Sequence, residues 1–312
     1  MSWQCTMINT VMRLSKWYLS GKDFHQAKAA MIRMADTPAA KADMPAGAIV
    51  EKISIAGVSC EWVYDKSAEI SDGVIMYFHG GGFFAGSPAT HRDAAHRFSA
   101  ATNMKTLVVD YDLTPEQVFP VALNQSVAIY QWLLANGFKS QDIAFGGDSA
   151  GGNMTLAVMK CLQAQNLPLP FAGFCVSPWA DLTHSGQSWQ DNRRRDVMIP
   201  PSLLENAAIV YANGKALDDP LISPVFADFK GFPPLYVIAG GTEILLDDAN
   251  RIQQRALKCG VSVEKKIWPT VPHAFTSMAS FLPEAREAIM DIANFLHRSK
   301  SQQDSSLENT SQ

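Results

Sequence analysis

Apolar residues recur at helical spacing along the first part of the chain, before any run that is typical of a strand. The positions from Met7 to Leu19 and from Phe24 to Met34 follow the period of amphipathic helices. The triplet Asp36-Thr37-Pro38 then breaks the period. Helices ahead of the first strand predict a covering layer, so we assign residues 1–45 to an N-terminal helical cap segment. Few basic residues flank the stripe, which disfavours a membrane-surface role for it.

From residue 48 the pattern changes to short apolar runs separated by longer amphipathic segments. Alternation at Ile49–Ile55 and Cys60–Tyr64, around Gly57, predicts an antiparallel hairpin at a sheet edge. Further apolar runs predict strands at 74–78, 106–111, 143–145, 171–176, 235–238 and 261–267. Helices are predicted at 92–102, 122–136, 154–160, 247–258 and 284–298. This alternation predicts an α/β fold with a mostly parallel sheet covered by helices on both faces.

Two stretches show no regular period. Residues 177–228 are predicted to be irregular, and the polar residues 299–312 are predicted to form a disordered tail. The α/β domain is therefore expected to span residues 46–298.

Composition then excludes several classes of protein. The chain of 312 residues is 47% apolar and carries a net charge of −4, which argues against a nucleic-acid partner. It lacks an apolar run of about 18 residues, so we expect no integral membrane segment. Arg13 and Lys16 interrupt the apolar pattern that a signal peptide would need. Five scattered cysteines without C-x-x-C spacing favour a reducing cytoplasm and disfavour a metal site.

The main candidate for chemistry is the pattern Gly147-x-Ser149-x-Gly151. An apolar run, Ile143–Phe145, precedes it, and a helix-compatible run, Met154–Lys160, follows. A sharp strand-to-helix turn lifts a serine hydroxyl clear of the backbone, where a base can reach it. The N-terminus of the following helix would also favour negative charge at the same place. The pattern therefore predicts a nucleophilic Ser149.

A second signal, His79-Gly80-Gly81-Gly82, directly follows the run that ends at Phe78. Three glycines together indicate that bare backbone is needed there. We expect the N–H groups of Gly80, Gly81 and Ala150 to form an oxyanion hole. His79 is expected to have a structural role. Phosphate-loop patterns are not matched in this loop.

The base and the acid should follow the serine along the chain. His273 lies in a proline-punctuated loop after a predicted strand, whereas His184 and His297 lack such a setting. Glu243 lies at the apex of the loop after the strand 235–238 and is the expected acid. Asp247 and Asp248, at the start of the next helix, remain alternatives.

Three motifs together resemble the bacterial family of hormone-sensitive-lipase carboxylesterases (family IV) within the α/β-hydrolases. They are His79–Gly82, Gly147–Gly152, and the Asp110-Tyr111 to Phe119-Pro120 segment. The resemblance implies an α/β-hydrolase core, a helical cap with an insertion at about 180–225, and no cofactor. It also implies Ser149 as nucleophile and His273 as base, although the family usually carries Asp-Pro-Leu where this chain has Glu243-Ile244-Leu245.

The resemblance implies hydrolysis of small-molecule esters with short-to-medium acyl chains. A lactone hydrolase, an amidase and a non-catalytic ligand-binding member remain alternatives to an esterase. A homo-oligomer is also compatible with the sequence. Aromatic and methionine side chains could line an apolar pocket near the site. We expect Phe83, Phe84, Trp179 and Phe275 there, with Trp189, Met198, Tyr211 and Phe226 as further candidates.

Overall fold

The computed structural model describes residues 1–35, 44–69 and 71–310, so the predicted break at 36–38 lies outside the described residues. Within them the strands are β1 (Ala48–Ile55), β2 (Val58–Asp65), β3 (Val74–Phe78), β4 (Lys105–Val109), β5 (Ile143–Asp148), β6 (Ala172–Val176), β7 (Leu235–Gly240) and β8 (Val263–Trp268). The helices are α1 (Trp3–Ser20), α2 (Phe24–Ala35), α3 (Pro88–Thr102), α4 (Val121–Ala135), α5 (Ala150–Ala164), α6 (Ser188–Asp191), α7 (Pro201–Ala212), α8 (Leu246–Lys258) and α9 (Pro283–Thr310).

The strands form one sheet in the order β1-β2-β4-β3-β5-β6-β7-β8. β1 and β2 pair antiparallel, with Val50 opposite Val63, and β2 pairs antiparallel with β4. The remaining pairs are parallel. The predicted α/β fold, with its edge hairpin and mostly parallel sheet, is confirmed.

Helices cover both faces of the sheet, and β3 shows why its sequence is continuously apolar. Val74, Met76 and Phe78 belong to one core, whereas Ile75 and Tyr77 belong to the other. The first core contains side chains of α4, α5 and α8, and the second contains side chains of α3 and α9. A strand buried on both faces has no polar side to present, so the period of two is lost.

Helix α7 corrects the prediction that residues 177–228 are irregular. Pro201 occupies the first turn of α7, where its missing N–H is not needed, and Asn213 ends it at φ 47°. The sequence contains both boundary signals, Pro201 and Asn213. The residues between them are mostly apolar, so they lack the amphipathic period that would indicate a helix.

The C-terminal segment also differs from the prediction, because α9 continues to Thr310 instead of ending before a tail at 299. Lys300 Nζ lies 2.8 Å from a carboxylate oxygen of Asp142 and 2.8 Å from one of Asp304. These ion pairs tie the polar end of the helix to the turn before β5 and to its own next turn.

The carboxyl ends of the parallel strands meet at one edge of the sheet. His79 follows β3, Ser149 follows β5, and Ser177 follows β6. Glu243 and His273 lie in the loops after β7 and β8. Reactive groups of α/β folds collect at this edge because the strand-end loops converge there.

Candidate active site

Ser149 lies in a backbone conformation that side chains rarely adopt, with φ 54° and ψ −119°. Its N–H donates to Val176 O at 2.9 Å, which ties the turn to β6. A Cβ at Gly151 would lie 1.8 Å from Phe78 O, and one at Gly147 would lie 2.4 Å from the backbone of Gly151. These positions therefore admit only glycine, which lets β5, α5 and β3 approach closely. The turn presents Ser149 to the cavity above.

Glu243 and His273 form a buried pair. Oε2 of Glu243 lies 2.7 Å from Nδ1 of His273, which leaves Nε2 for a reacting group. Oε1 of Glu243 accepts from Ser177 Oγ at 2.7 Å and from the N–H of Gly240. Burial opposes protonation of His273, but the hydrogen bond and charge of Glu243 outweigh it and raise the pKa of His273.

The two alternative acids have other partners. Asp247 Oδ2 accepts from the N–H of Ser188 at 2.8 Å. Asp248 Oδ2 accepts from the N–H groups of Ala180 and Asp181 at 2.7 and 2.9 Å. Burial, reinforced by the nearby charge of Asp181, raises the pKa of Asp248 well above its usual value. Both carboxylates hold the segment after β6, and Glu243 is the carboxylate that meets His273.

Ser177 is a residue of the site that sequence reasoning missed. Its Oγ donates to Glu243 and accepts from the N–H of Ala274 at 3.1 Å. Its own N–H donates to Ile238 O at 2.6 Å. Ser177 therefore links the loops after β7 and β8 from a position at the end of β6. The signal that could have found it is its place directly after a buried strand, since no motif marks it.

The loop His79–Gly82 requires a correction to the expected oxyanion donors. The N–H of Gly80 donates to Asp148 Oδ1 at 3.1 Å and is already used. The N–H groups of Gly81, Gly82 and Ala150 have no acceptor within residues 1–35, 44–69 and 71–310. Gly81, at φ 121°, admits no side chain, because a Cβ there would lie 2.0 Å from Ala85 O. Gly81 and Gly82 line the same cavity as Ser149 and His273.

Asp148 anchors this loop from beneath the nucleophile. Besides Gly80, its Oδ1 accepts from Tyr77 Oη at 2.7 Å and lies 3.3 Å from Nε2 of His91. Burial would favour the neutral acid, but the charge and hydrogen bond of His91 and the Tyr77 hydroxyl lower the pKa of Asp148. In the same way Asp148 overcomes the effect of burial and raises the pKa of His91. A buried ion pair thus holds Gly80 in place.

His79 is packed against this pair in the structural role that we expected. Its ring stacks on Tyr111 with centroids 4.3 Å apart, and Tyr111 Oη donates to His79 O at 2.6 Å. Burial and the neighbouring His91 lower the pKa of His79 to about 4. A neutral His79 beside a charged His91 avoids two like charges in a buried space.

Ser149 and His273 lie at the polar end of an apolar cavity of about 500 Å³. Its apolar walls include Met12 and Leu19 of α1, Met31 of α2, and Leu203 and Leu204 of α7, beside the loop 80–87 and the first turn of α3. Helices α1 and α2 belong to the N-terminal segment that we predicted as a cap, whereas α7 belongs to the stretch that we predicted to be irregular.

Of the aromatic side chains expected in the pocket, Phe84 lines the cavity, and Met198 does so too. The expectation is wrong for Phe83, Trp179 and Phe275, which are buried elsewhere. Phe83 stacks on Tyr211 with centroids 3.7 Å apart. Trp189, Tyr211 and Phe226 also do not line the cavity. Apart from Phe84, the aromatic rings that we expected in the pocket pack in other parts of the fold.

Two further properties of the described residues bear on the chemistry. No group of three or more His, Cys, Asp or Glu side chains in residues 1–35, 44–69 and 71–310 is arranged to hold a metal ion. In the same residues, no helix has the length and apolar character needed to cross a membrane.

The chain is similar in sequence and in fold to several known proteins. Residues 75–277 match the model of a family described as alpha/beta hydrolase fold. An acetyl-hydrolase of Streptomyces hygroscopicus is 34% identical over 244 residues, which cover 78% of this chain and 81% of the relative. An esterase of Acinetobacter venetianus is 35% identical over 247 residues, with 79% and 81% covered. The crystal structure of an esterase from the bacterial hormone-sensitive lipase family is 35% identical and superposes with a TM-score of 0.90 over 96% of this chain and 99% of that one.

Proposed function

The chain belongs to the hormone-sensitive-lipase family of α/β-hydrolases and is a carboxylic ester hydrolase, and on that premise we propose that Ser149 forms an acyl-enzyme with short-to-medium acyl esters. The observation that carries the proposal is the pair of Ser149 and His273 at one cavity, with Nδ1 of His273 held 2.7 Å from Glu243. Nucleophile, base and orienting acid are the three roles that acyl transfer requires.

In the proposed cycle, Ser149 Oγ attacks the ester carbonyl carbon while Nε2 of His273 takes its proton. Glu243 keeps the second ring proton on Nδ1 and stabilises the imidazolium that forms. When the ester C–O bond breaks, the leaving alkoxide takes the proton from His273. Water then repeats the sequence on the acyl-enzyme, with His273 again as the base.

The negative charge of each tetrahedral intermediate falls on the former carbonyl oxygen. We assign the N–H groups of Gly81, Gly82 and Ala150 as its donors, because each lacks an acceptor in the described part of the chain. Ala150 also begins α5, whose N-terminus favours negative charge at the same position. Donors fixed in advance stabilise the transition state more than the neutral ester.

The cavity suits the acyl part of the substrate. A volume of about 500 Å³ with mainly apolar walls accepts a short or medium chain and offers few partners to a polar one. We propose that α1, α2 and α7 form a cap that sets the chain length, over an α/β domain that supplies the chemistry.

Replacement of Ser149 tests the function most directly. We expect Ser149→Ala to lower kcat/KM on p-nitrophenyl butyrate by about 10⁴-fold or more, with an unchanged melting temperature. The matched control is Ser305→Ala, at an exposed position of α9. A p-nitroanilide assayed in parallel distinguishes amide from ester cleavage. Substantial activity in a stable Ser149→Ala protein would assign the nucleophile to another residue.

A further inference from the structure

Helix α1 carries an apolar stripe that the described structure leaves largely exposed. Trp17 is 80% exposed, Trp3 68% and Leu14 67%. Met7, Val11 and Tyr18 are also exposed and lie on the same side. At 100° per residue these six side chains fall within an arc of about 120°. Apart from Thr10, which falls within the same arc, they form one apolar surface, which differs from the scattered apolar residues found on most proteins.

The opposite side of α1 is committed to the protein. Met12, Ser15 and Leu19 line the active-site cavity, and Cys5 is buried. The helix is therefore apolar on two sides and touches the rest of the fold with one. The outer stripe is thus a surface made for a partner, placed one helix diameter from the cavity.

Positive charge lies on α1 and next to it. Helix α1 contains no acidic residue, and Arg13 is exposed on it. Lys16 Nζ donates to the backbone oxygens of Arg193 and Asp196 at 3.0 and 2.8 Å, which brings the run Arg193–Arg195 next to α1. All three arginine side chains are exposed. Among the described residues, Arg194 makes no ion pair and no side-chain hydrogen bond. The sequence separates these charges from α1 by more than half of the chain.

We propose that the outer face of α1 docks on an anionic lipid surface. Tryptophan and tyrosine rings are suited to the boundary between lipid headgroups and acyl chains. Leu14, Met7 and Val11 would enter that boundary, as in helices that lie in the interface plane. The arginines would face lipid phosphates, which they bind through paired N–H groups. Docking would bring the cavity to the layer in which apolar esters dissolve.

A second copy of the chain fits this face less well. In a symmetric dimer the same patch meets itself, so the arginine run of one protomer would approach that of the other. Like charges at an interface oppose association. An anionic lipid surface instead supplies the opposite charge to every arginine at once.

The test is co-sedimentation of the full chain with vesicles. One set contains phosphatidylcholine alone, and the other contains phosphatidylcholine and phosphatidylglycerol in equal amounts. We expect the wild-type protein to sediment with the anionic set, more weakly with the neutral set, and less at high salt. Leu14→Glu with Trp17→Glu should weaken binding roughly a hundredfold or more, because two apolar side chains no longer enter the lipid. Arg194→Glu should weaken it roughly fivefold to tenfold.

The matched control is Leu257→Glu with Met290→Glu, at exposed apolar positions of α8 and α9. It should bind as the wild type does, and circular dichroism should show every variant folded. Equal binding by the control and the α1 variant would overturn the proposal, and so would a wild-type protein that ignores anionic vesicles. A wild-type dimer that the α1 substitutions convert to a monomer, with no vesicle binding, would assign the face to a second copy.

Discussion

The carboxyl edge of the sheet and the helices above it are built in different ways. At the edge, polar atoms are buried and fixed by hydrogen bonds: Glu243 is 1% exposed and has three partners, and Asp148 also has three. In the layer formed by α1, α2, α7 and the loop before α7, which we call the helical layer, Met12, Met31 and Met198 present flexible apolar side chains to the cavity. Hydrogen bonds fix the polar side chains of the edge in one arrangement, whereas the flexible methionine side chains of the helical layer can pack in several arrangements of similar energy.

This difference predicts two kinds of response to mutation. A change at the edge disturbs atoms that every ester must use, so it should lower the rate on all substrates by a common factor. A change in the helical layer alters only the walls, so it should change the ratio between substrates. Each prediction below tests one side of this division.

Among variants that keep the nucleophile, the largest effect is expected for Glu243→Gln. Loss of the carboxylate removes the group that orients His273, and we expect kcat/KM to fall by about 10³–10⁴ on acetate and octanoate esters alike. His273 works as a neutral base, so the rate falls as the pH drops through its pKa. Glu243 holds that pKa above 6.5, and the variant should shift the acidic limb to lower pH. The measurement is a pH profile of kcat/KM on both esters.

Asp247→Asn is the matched control for this variant, since Asp247 bonds to Ser188 and not to His273. It should retain nearly full activity. If Asp247→Asn proved the damaging change and Glu243→Gln the mild one, the acid of the triad would be misassigned.

A smaller but still general loss is expected for Gly81→Ala. The new Cβ would lie 2.0 Å from Ala85 O at a φ of 121°, so the loop must move and its donors with it. We expect a fall of about 10²–10³ in kcat on every ester. Gly137→Ala is the control, because Gly137 has a φ of 93° but no atom within 4 Å of its Cβ position. Equal losses in both variants would indicate general backbone strain instead of a displaced oxyanion hole.

His91→Gln tests the ion pair beneath the loop. Asp148 keeps Tyr77 and Gly80 but loses its counter-charge, so we expect roughly a tenfold loss of kcat and about 1–3 kcal/mol of stability. The folded-state pKa of His91 is raised above 6.5, so its contribution is complete below 6.5 and is lost as the pH rises through the raised value.

The measurement for His91→Gln is urea unfolding across neutral and alkaline pH, where the variant should lack the part of the decline that His91 causes. His297→Gln, at an exposed position of α9, is the control and should follow the wild type. A variant with the same pH dependence as the wild type would show that the pair does not titrate as described.

The smallest effect on rate, and the sharpest on selectivity, is expected for Met31→Trp. The larger ring would project from α2 into the cavity and reduce the space for the acyl chain. We expect activity on the acetate ester within roughly threefold of wild type, with at least a tenfold loss on the octanoate ester. Ile209→Trp places the same ring on the exposed side of α7 and should leave the ratio unchanged. A common loss on both esters would contradict the division between edge and helical layer.

The candidate nucleophile and base at the sheet edge could be predicted from the sequence, because each lies in a local pattern that the backbone conformation requires. Ser149 lies between glycines that no other residue can replace, and His273 lies in a loop after a strand. Gly80 was assigned wrongly because the partner of its N–H, Asp148, is 68 residues away. Ser177 was missed for the same reason: its partners belong to loops much later in the chain.

The helical layer was less predictable from the sequence. The helices α1 and α2 were expected, but Phe83 and Trp179, which were expected to line the pocket, are buried in the core instead. Residue type distinguishes apolar from polar surroundings and does not distinguish a cavity wall from solid core, because both favour the same side chains. Which wall a residue joins depends on how separate helices meet.

The position of Ser177 between two distant loops has a consequence for how the protein acquires activity. The hydrogen bonds that fix the acid and the base join residues 66, 30 and 97 positions apart. Contacts of such long sequence separation form late, since the chain between them must first be ordered. During refolding, secondary structure should therefore return before ester hydrolysis does. The return of catalytic activity would then report when the loops after β6, β7 and β8 have come together.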